Sequence, residues 1–298
     1  MTRHFITIGI AAYNEERSIA HCIESIQAAS QSLEHKTELI VVACGCTDQT
    51  VQKASRSFDT RHSARLITGP DRLSKCAGLN LIAERAQGDI IAFIDADLFV
   101  HSDALRILTE AFAKDPSVSV AYGRMVPTKG PSRLWTKVGE WTASALHALR
   151  SLPDGSGLWL VCGPLFALRR NIWAKLPEGV MSDDVYIGVL AQSKGLRISY
   201  LPDAIAYGRY PQTLAEYVDQ KLRNRIARIQ LHTLQNDTFR HVPIWISKFG
   251  LHKLRWAALR HLPILLIDTL LSAVAFVQWL SGRRPNAFWN EVPSTKLE

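Results

Sequence analysis

The most constraining feature is a regular alternation near the start of the chain. Four short apolar, β-rich runs, Phe5–Ala11, Leu39–Ala43, Arg65–Thr68 and Asp89–Ile94, are separated by stretches with helical periodicity. Strands of this composition are covered on both faces, and strands that take turns with helices build a largely parallel sheet. Ile19, Ile23 and Ile26 repeat at helical spacing in a helix from about Glu15 to Ser30, with Asn14 as its expected N-cap. A short helix follows Thr47-Asp48, and Lys75–Ala86 reads as the next one. In such sheets ligands sit beyond the carboxyl ends of the strands. Asn14, Thr47-Asp48 and Asp95-Ala96-Asp97 all follow strand ends, so the topology directs them to one crevice.

The pattern then changes. A strand is expected at Val118–Met125, a Trp-containing helix at Leu134–Leu149, and an apolar stretch at Leu158–Leu168. Beyond Ser182-Asp183-Asp184 come a helix to Lys194, a strand at Leu196–Leu201 and a long helix from Leu214. No composition break interrupts this order. We therefore read 1–235 as one α/β domain, with a first half of about 1–115 and a second of about 116–235, followed by a helical region at 236–298. At 298 residues, with 47% hydrophobic and 21% charged side chains, the chain has the material for a sizeable core and is excluded from the disordered class.

Within 236–298, Leu262–Leu280 is mostly apolar and nearly as long as the ~20 residues a membrane span needs. Asp268 and Gln278 interrupt it, and Lys253, Arg255, Arg260, Arg283 and Arg284 flank both ends. Three placements fit: a span, a helix lying in the membrane interface, or an apolar helix packed on the domain. The expectation is contact with a membrane surface, at its cytoplasmic face. The five cysteines are scattered without zinc-ligand spacing and read as reduced thiols, and Met1–Ile10 lacks the layout of an export signal. The net charge of +8 suits an anionic partner. Nucleic acid is not the expected one, because no helix-turn-helix, zinc-finger or aromatic stacking pattern accompanies the charge.

Two carboxylate pairs carry the chemistry. In extended chain, Asp95 and Asp97 share one side, so both can approach one hard divalent cation, Mg²⁺ or Mn²⁺, together with substrate phosphates. Taken singly, the pair reads equally well as a solvated strand-ending turn. Asp183-Asp184 follow Ser182, an N-cap residue type, and the helix dipole by itself favours acids there. The other reading makes one of them a general base. Lys75 opens a helix at the same crevice and reads either as a point-charge ligand of a diphosphate oxygen or as a solvated surface lysine, and Asn80 reads as a structural tie between loops. Gln220 and Arg223 lie one turn apart on the long helix, away from its stripe of Leu214, Val218, Leu222, Ile226 and Ile229.

The order and spacing of four blocks resemble family-2 glycosyltransferases of the GT-A fold. The blocks are Ile8-Gly9-Ile10-Ala11-Ala12-Tyr13-Asn14-Glu15-Glu16, Ile40–Asp48, Ser74–Asn80 and Gly88–Asp97. The resemblance extends over roughly 4–230. It implies a GT-A α/β fold with a mostly parallel central sheet, and an inverting transfer from a UDP-sugar; a glycan or lipid-linked acceptor is expected from the membrane contact read for the C-terminal region. The resemblance assigns Ala12, Tyr13, Asn14, Glu15 and Cys44 to the nucleoside, Asp95 and Ala96 to the nucleotide, Asp97 to the metal and Asp184 to the general base. Gly163 and Pro164 fall in the family's acceptor-side loop. Cys44 stands where the family often has an acid or Asn, and Ala11-Ala12 where Val-Pro is commoner. Gln220-Lys221-Leu222-Arg223-Asn224 is similar to the Gln-x-x-Arg-Trp motif of hyaluronan and cellulose synthases, with Asn224 replacing Trp, and it points Arg223 at the leaving diphosphate. A sugar-nucleotide-forming nucleotidyltransferase would carry a Gly-rich, Arg-containing loop after the first strand, where this chain has Ala11-Ala12-Tyr13-Asn14. The other alternative is a catalytically weak relative that binds nucleotide sugars as a membrane-bound scaffold.

Overall fold

The computed structural model describes residues 4–59, 63–151 and 163–233, together with Leu270, Val274, Val277, Ser281, Thr295 and Lys296. The first half follows the alternation: β1 (Phe5–Ala11), α1 (Ile19–Ser30), β2 (Lys36–Cys44), α2 (Thr50–Arg56), β3 (Ser63–Gly69), α3 (Lys75–Arg85) and β4 (Ile90–Ile94). Then come β5 (Phe99–Val100), α4 (Ala104–Lys114), β6 (Val118–Pro127), α5 (Arg133–Arg150), β7 (Leu165–Arg169), α6 (Asp183–Ser193), β8 (Arg197–Gly208) and α7 (Leu214–Thr233). All eight strands share one sheet in the order β3-β2-β1-β4-β7-β6-β8-β5.

The first four strands are parallel, β1 lying between β2 and β4. All five residues of β4 are buried, which accounts for its lack of polar alternation. Burial of side chains of this size stabilises by roughly 1.5–3 kcal/mol each. The second half reverses direction. β7 inserts antiparallel between β4 and β6, pairing Ile94 with Leu165 and Ile90 with Arg169, so the sheet is mixed. This reversal sets Gly163-Pro164, at the start of β7, against Asp95 at the end of β4: the Asp95 N–H donates to the Pro164 carbonyl at 3.0 Å.

The opposite, N-terminal edge of the strands is closed by a buried carboxylate. Glu38 on β2 is 2% exposed and accepts hydrogen bonds from Thr7 Oγ1 at 2.6 Å and the Gln87 N–H at 2.7 Å, with Arg65 Nη2 at 3.2 Å. Thr7 Oγ1 in turn accepts from the Gly88 N–H. Each polar group that this corner buries is thereby answered.

Two local expectations are corrected. Asn14 is not the N-cap of α1. It adopts a left-handed φ of 52°, and the helix starts five residues later at Ile19, behind Ser18. The chain needs that extra turn because the Asn14 side chain reaches across to the loop after β2. Ser182 occupies the N-cap position of α6, yet its hydroxyl bonds the Asp184 carboxylate and not a helix N–H. The apolar stretch at 262–280 lies, except for Leu270, Val274 and Val277, outside the described residues.

Candidate active site

The loops that leave β1 and β2 are laced together by their own side chains. Asn14 Oδ1 accepts from the Thr47 N–H at 2.9 Å, and Asn14 Nδ2 donates to Thr47 Oγ1 at 3.1 Å. The Glu15 N–H donates to Thr50 Oγ1, the Glu16 N–H to Asp48 Oδ2, and Asp48 Oδ1 accepts from both the N–H and the hydroxyl of Thr50. Gly45, at φ 68°, makes the turn that brings Arg72 alongside: a Cβ there would lie 2.4 Å from the Arg72 amide nitrogen. Only glycine combines that φ with so close a backbone approach.

Above these loops lies a cleft of about 310 Å³, within the size range of small-ligand sites. Its wall includes Ala12, Tyr13, Glu15, Cys44, Lys75, Asp95, Ala96, Asp97, Asp183, Asp184, Gln220 and Arg223. Residues expected from six separate stretches of sequence are thus brought together. Asn14 stays off the wall and acts as the clamp behind it. Asn80 is structural as expected, pairing both its amide atoms with the backbone of Leu176.

Lys75, the first residue of α3, bridges the two carboxylate pairs. Its Nζ lies 2.7 Å from Asp95 Oδ1 and 3.4 Å from Asp183 Oδ1. Burial by itself would pull the lysine down, but Asp183 and Asp95 hold its ammonium well above its ordinary range. The carboxylates feel the converse. Burial raises Asp183 to about 6 against relief from Lys75, with Asp184 and Asp95 adding to the rise. Burial likewise raises Asp95 and Asp97, while Lys75 opposes it in both. Arg223 is depressed by burial and held up by the four aspartates.

The members of the second pair differ. Asp184 accepts from Ser182 Oγ at 2.7 Å, the Val185 N–H at 2.8 Å and the Gly163 N–H at 3.1 Å, so its carboxylate is fixed in direction. Asp183 is 2% exposed, and its Oδ2 has no hydrogen-bond partner among the described residues. Gly163 and Pro164 span the gap between the pairs, one bonded to Asp184 and the other to Asp95. Among the described residues no three His, Cys, Asp or Glu side chains form a closed metal cage. Two carboxylates at one strand end match a hard ion that takes its remaining ligands from phosphate and water.

Three cationic wall residues escaped the sequence reading. Arg72 stacks its guanidinium 3.8 Å over the Tyr13 ring, and Arg209 and Lys296 also reach the cleft. Arg72 and Arg209 follow the ends of β3 and β8, the same signal that marked Asp95. Lys296 carries no such signal. The acids Glu15, Asp95, Asp97, Asp183 and Asp184 on the wall are balanced by Arg72, Lys75, Arg209, Arg223 and Lys296.

This arrangement, a parallel half-sheet with strand-end carboxylates joined to a mixed half that supplies a second acidic pair, is that of the GT-A glycosyltransferases. The sequence matches the model of glycosyl transferase family 2 over residues 7–176, and the chain belongs to that family. An N-acetylglucosaminyltransferase of Bradyrhizobium diazoefficiens is 25% identical over 236 residues, covering 73% of this chain and 47% of that protein. The chain spans about half the length of the curated relatives it matches. Among solved structures, a mannosyltransferase from Pyrobaculum calidifontis in complex with GDP-Man and Mn²⁺ superposes with a TM-score of 0.60 at 20% identity, covering 94% of this chain and 80% of the other. Glucosyl-3-phosphoglycerate synthase from Mycobacterium tuberculosis, with Mn²⁺, UDP-glucose and phosphoglyceric acid, gives 0.54 at 21% identity over 77% and 79%. These two likenesses establish the fold.

Proposed function

We propose that the chain transfers a sugar from a nucleotide-diphosphate sugar, with inversion at the anomeric carbon, to a hydroxyl of a glycan or lipid-linked acceptor. The observation that carries this reading is the convergence of Asp95, Asp97, Lys75 and Asp184 on one cleft, with Gly163-Pro164 bridging the two acidic pairs. UDP-N-acetylglucosamine is the first donor to test, since the curated relatives are named N-acetylglucosaminyltransferases.

Asp97, with Asp95 beside it, would hold Mg²⁺ or Mn²⁺ together with diphosphate oxygens. Such an ion supplies positive charge to the leaving group. The protein's own groups do the rest. The Asn14–Thr47 clamp fixes the nucleoside end, with Tyr13 and Cys44 on its wall. Lys75 and Arg223 face the charge that develops as the anomeric carbon–oxygen bond breaks. Asp184, aimed by Ser182, Val185 and Gly163, takes the acceptor proton while the acceptor oxygen bonds to the anomeric carbon from the opposite side. Asp183 keeps Lys75 in place.

The acceptor is proposed to lie at a membrane surface reached through the C-terminal region, on the cytoplasmic face. Leu270, Val274 and Val277, spaced along one helical face, are all exposed. No helix among the described residues is long and apolar enough to cross a membrane. The decisive experiment incubates the full chain with UDP-N-acetylglucosamine, UDP-glucose and GDP-mannose, with Mn²⁺ and with EDTA. Thermal stabilisation and nucleoside diphosphate release are followed. We expect one donor to stabilise the protein by about 2.7 kcal/mol at a hundred times its Kd, only with the ion. Absence of binding and of release for every donor would sink the proposal.

A further inference from the structure

The segment around Thr295 and Lys296 sits far along the sequence from every motif above, yet both residues are buried against the cleft. Two attachments fix it there. Arg209 Nη1 donates to the Lys296 carbonyl at 3.0 Å, and the Lys296 ammonium donates to the Asn14 carbonyl. The same ammonium lies 3.7 Å from Glu15 Oε1, with its side chain 9% exposed. A buried lysine is costly to desolvate, so its placement needs a compensating charge. Glu15 supplies part of it.

The location suggests what the cation faces. On one side are Asn14 and Glu15, the loop that carries the nucleoside in the reading above. On the other lies the strand end bearing Asp97, whose carboxyl feels the Lys296 charge. A nucleoside diphosphate spanning these two points places its phosphate next to the nucleoside between them. Lys75, another cation of the wall, is already bridged between Asp95 and Asp183. Removing Lys296 would also leave the wall with five acids against four bases, a surface that repels a diphosphate.

We infer that Lys296 is a donor-site residue, contributed by a segment distant in sequence, whose ammonium binds the nucleoside-proximal phosphate of the donor. This rests on the nucleotide-sugar reading and extends it to a residue outside the stretch matched by the family model. Lysine is a point-charge phosphate ligand, so an arginine should substitute in part and a neutral side chain should not.

The test is calorimetric titration of the full chain with UDP and GDP in MnCl₂, and with uridine and guanosine as phosphate-free controls. For the nucleotide that binds the unaltered protein, Lys296→Met should weaken affinity on the order of tenfold. Nucleoside affinity should stay within about twofold, and Lys296→Arg should recover most of the loss. Two results overturn the inference while leaving the donor reading intact. One is unchanged or tighter diphosphate binding in Lys296→Met, the latter marking the segment as a competitor for the site. The other is a parallel loss for nucleoside and diphosphate, which would make Lys296 only a prop for the Asn14 loop. If the unaltered protein binds neither diphosphate, the donor reading fails and the inference falls with it.

Discussion

The two ends of the sheet bury carboxylates in opposite ways. At the N-terminal edge, Glu38 is enclosed with donors from Thr7, Gln87 and Arg65. At the C-terminal edge, Asp183 is equally buried, with one oxygen lacking a partner among the described residues and a carboxyl raised to about 6. A satisfied buried acid locks structure. A crowded, raised cluster stores unfavourable charge that a cationic ligand relieves. Burial by itself therefore does not separate a locked carboxylate from a crowded one, whereas its hydrogen bonds and neighbouring charges together do.

That contrast can be broken in several places. Asp184→Asn should lower turnover by about 10²–10⁴ while donor affinity stays unchanged, measured with whichever donor the screen selects. Full turnover would remove Asp184 from the base role. Asp97→Asn should cost about 10²–10³ in turnover and abolish the dependence of nucleotide affinity on Mn²⁺ in calorimetry, with no loss of thermal stability. A variant that binds as tightly with Mn²⁺ as the parent would count against the pairing of Asp97 with the ion. Glu38→Ala should do the reverse, lowering unfolding free energy by about 1–3 kcal/mol in urea while nucleotide affinity is retained. Most of that loss comes from the stranded Thr7 and Gln87 donors, because Arg65 is half-exposed and its ion pair is weak.

The smallest expected effect is in pH dependence. Burial sets the Asp183 carboxyl at about 6, against an ordinary 3.8. Between these values the native state holds a proton that the unfolded chain has released, so stability falls as pH rises through that window. Asp183→Asn cannot titrate. Its melting temperature without added ions should gain on the parent by a few degrees between about pH 4 and pH 7. A constant difference across that range would mean that Asp183 is not raised.

Much of the donor half was legible because one rule governs it. Buried strands such as Ile90–Ile94 show as unbroken apolar runs, and residues just past them line the cleft. Arg72 obeys the same rule and was available to it. The left-handed Asn14 was not, since its side chain is held by Thr47, a partner 33 positions away. The direction of β7 was equally hidden: a five-residue apolar strand reads the same forwards and backwards, and its orientation is decided by β4 and β6 on either side. Lys296 reaches the cleft through tertiary contacts that leave no periodic trace in its own neighbourhood.

The insertion of β7 also bears on how the chain reaches its native state. As synthesis proceeds, β1 to β4 can pair among themselves, but the second edge of β4 stays open until Leu165–Arg169 has emerged, some seventy residues later. During that interval Ile90–Ile94 is an unpaired apolar edge, the kind of template on which chains associate. Fragments ending before β7 should therefore precipitate on expression, and those extending past Arg169 should be markedly more soluble. The reversal that sets Gly163-Pro164 between the two acidic pairs thus leaves the centre of the sheet open until after both strands that flank it, β4 and β6, have been made.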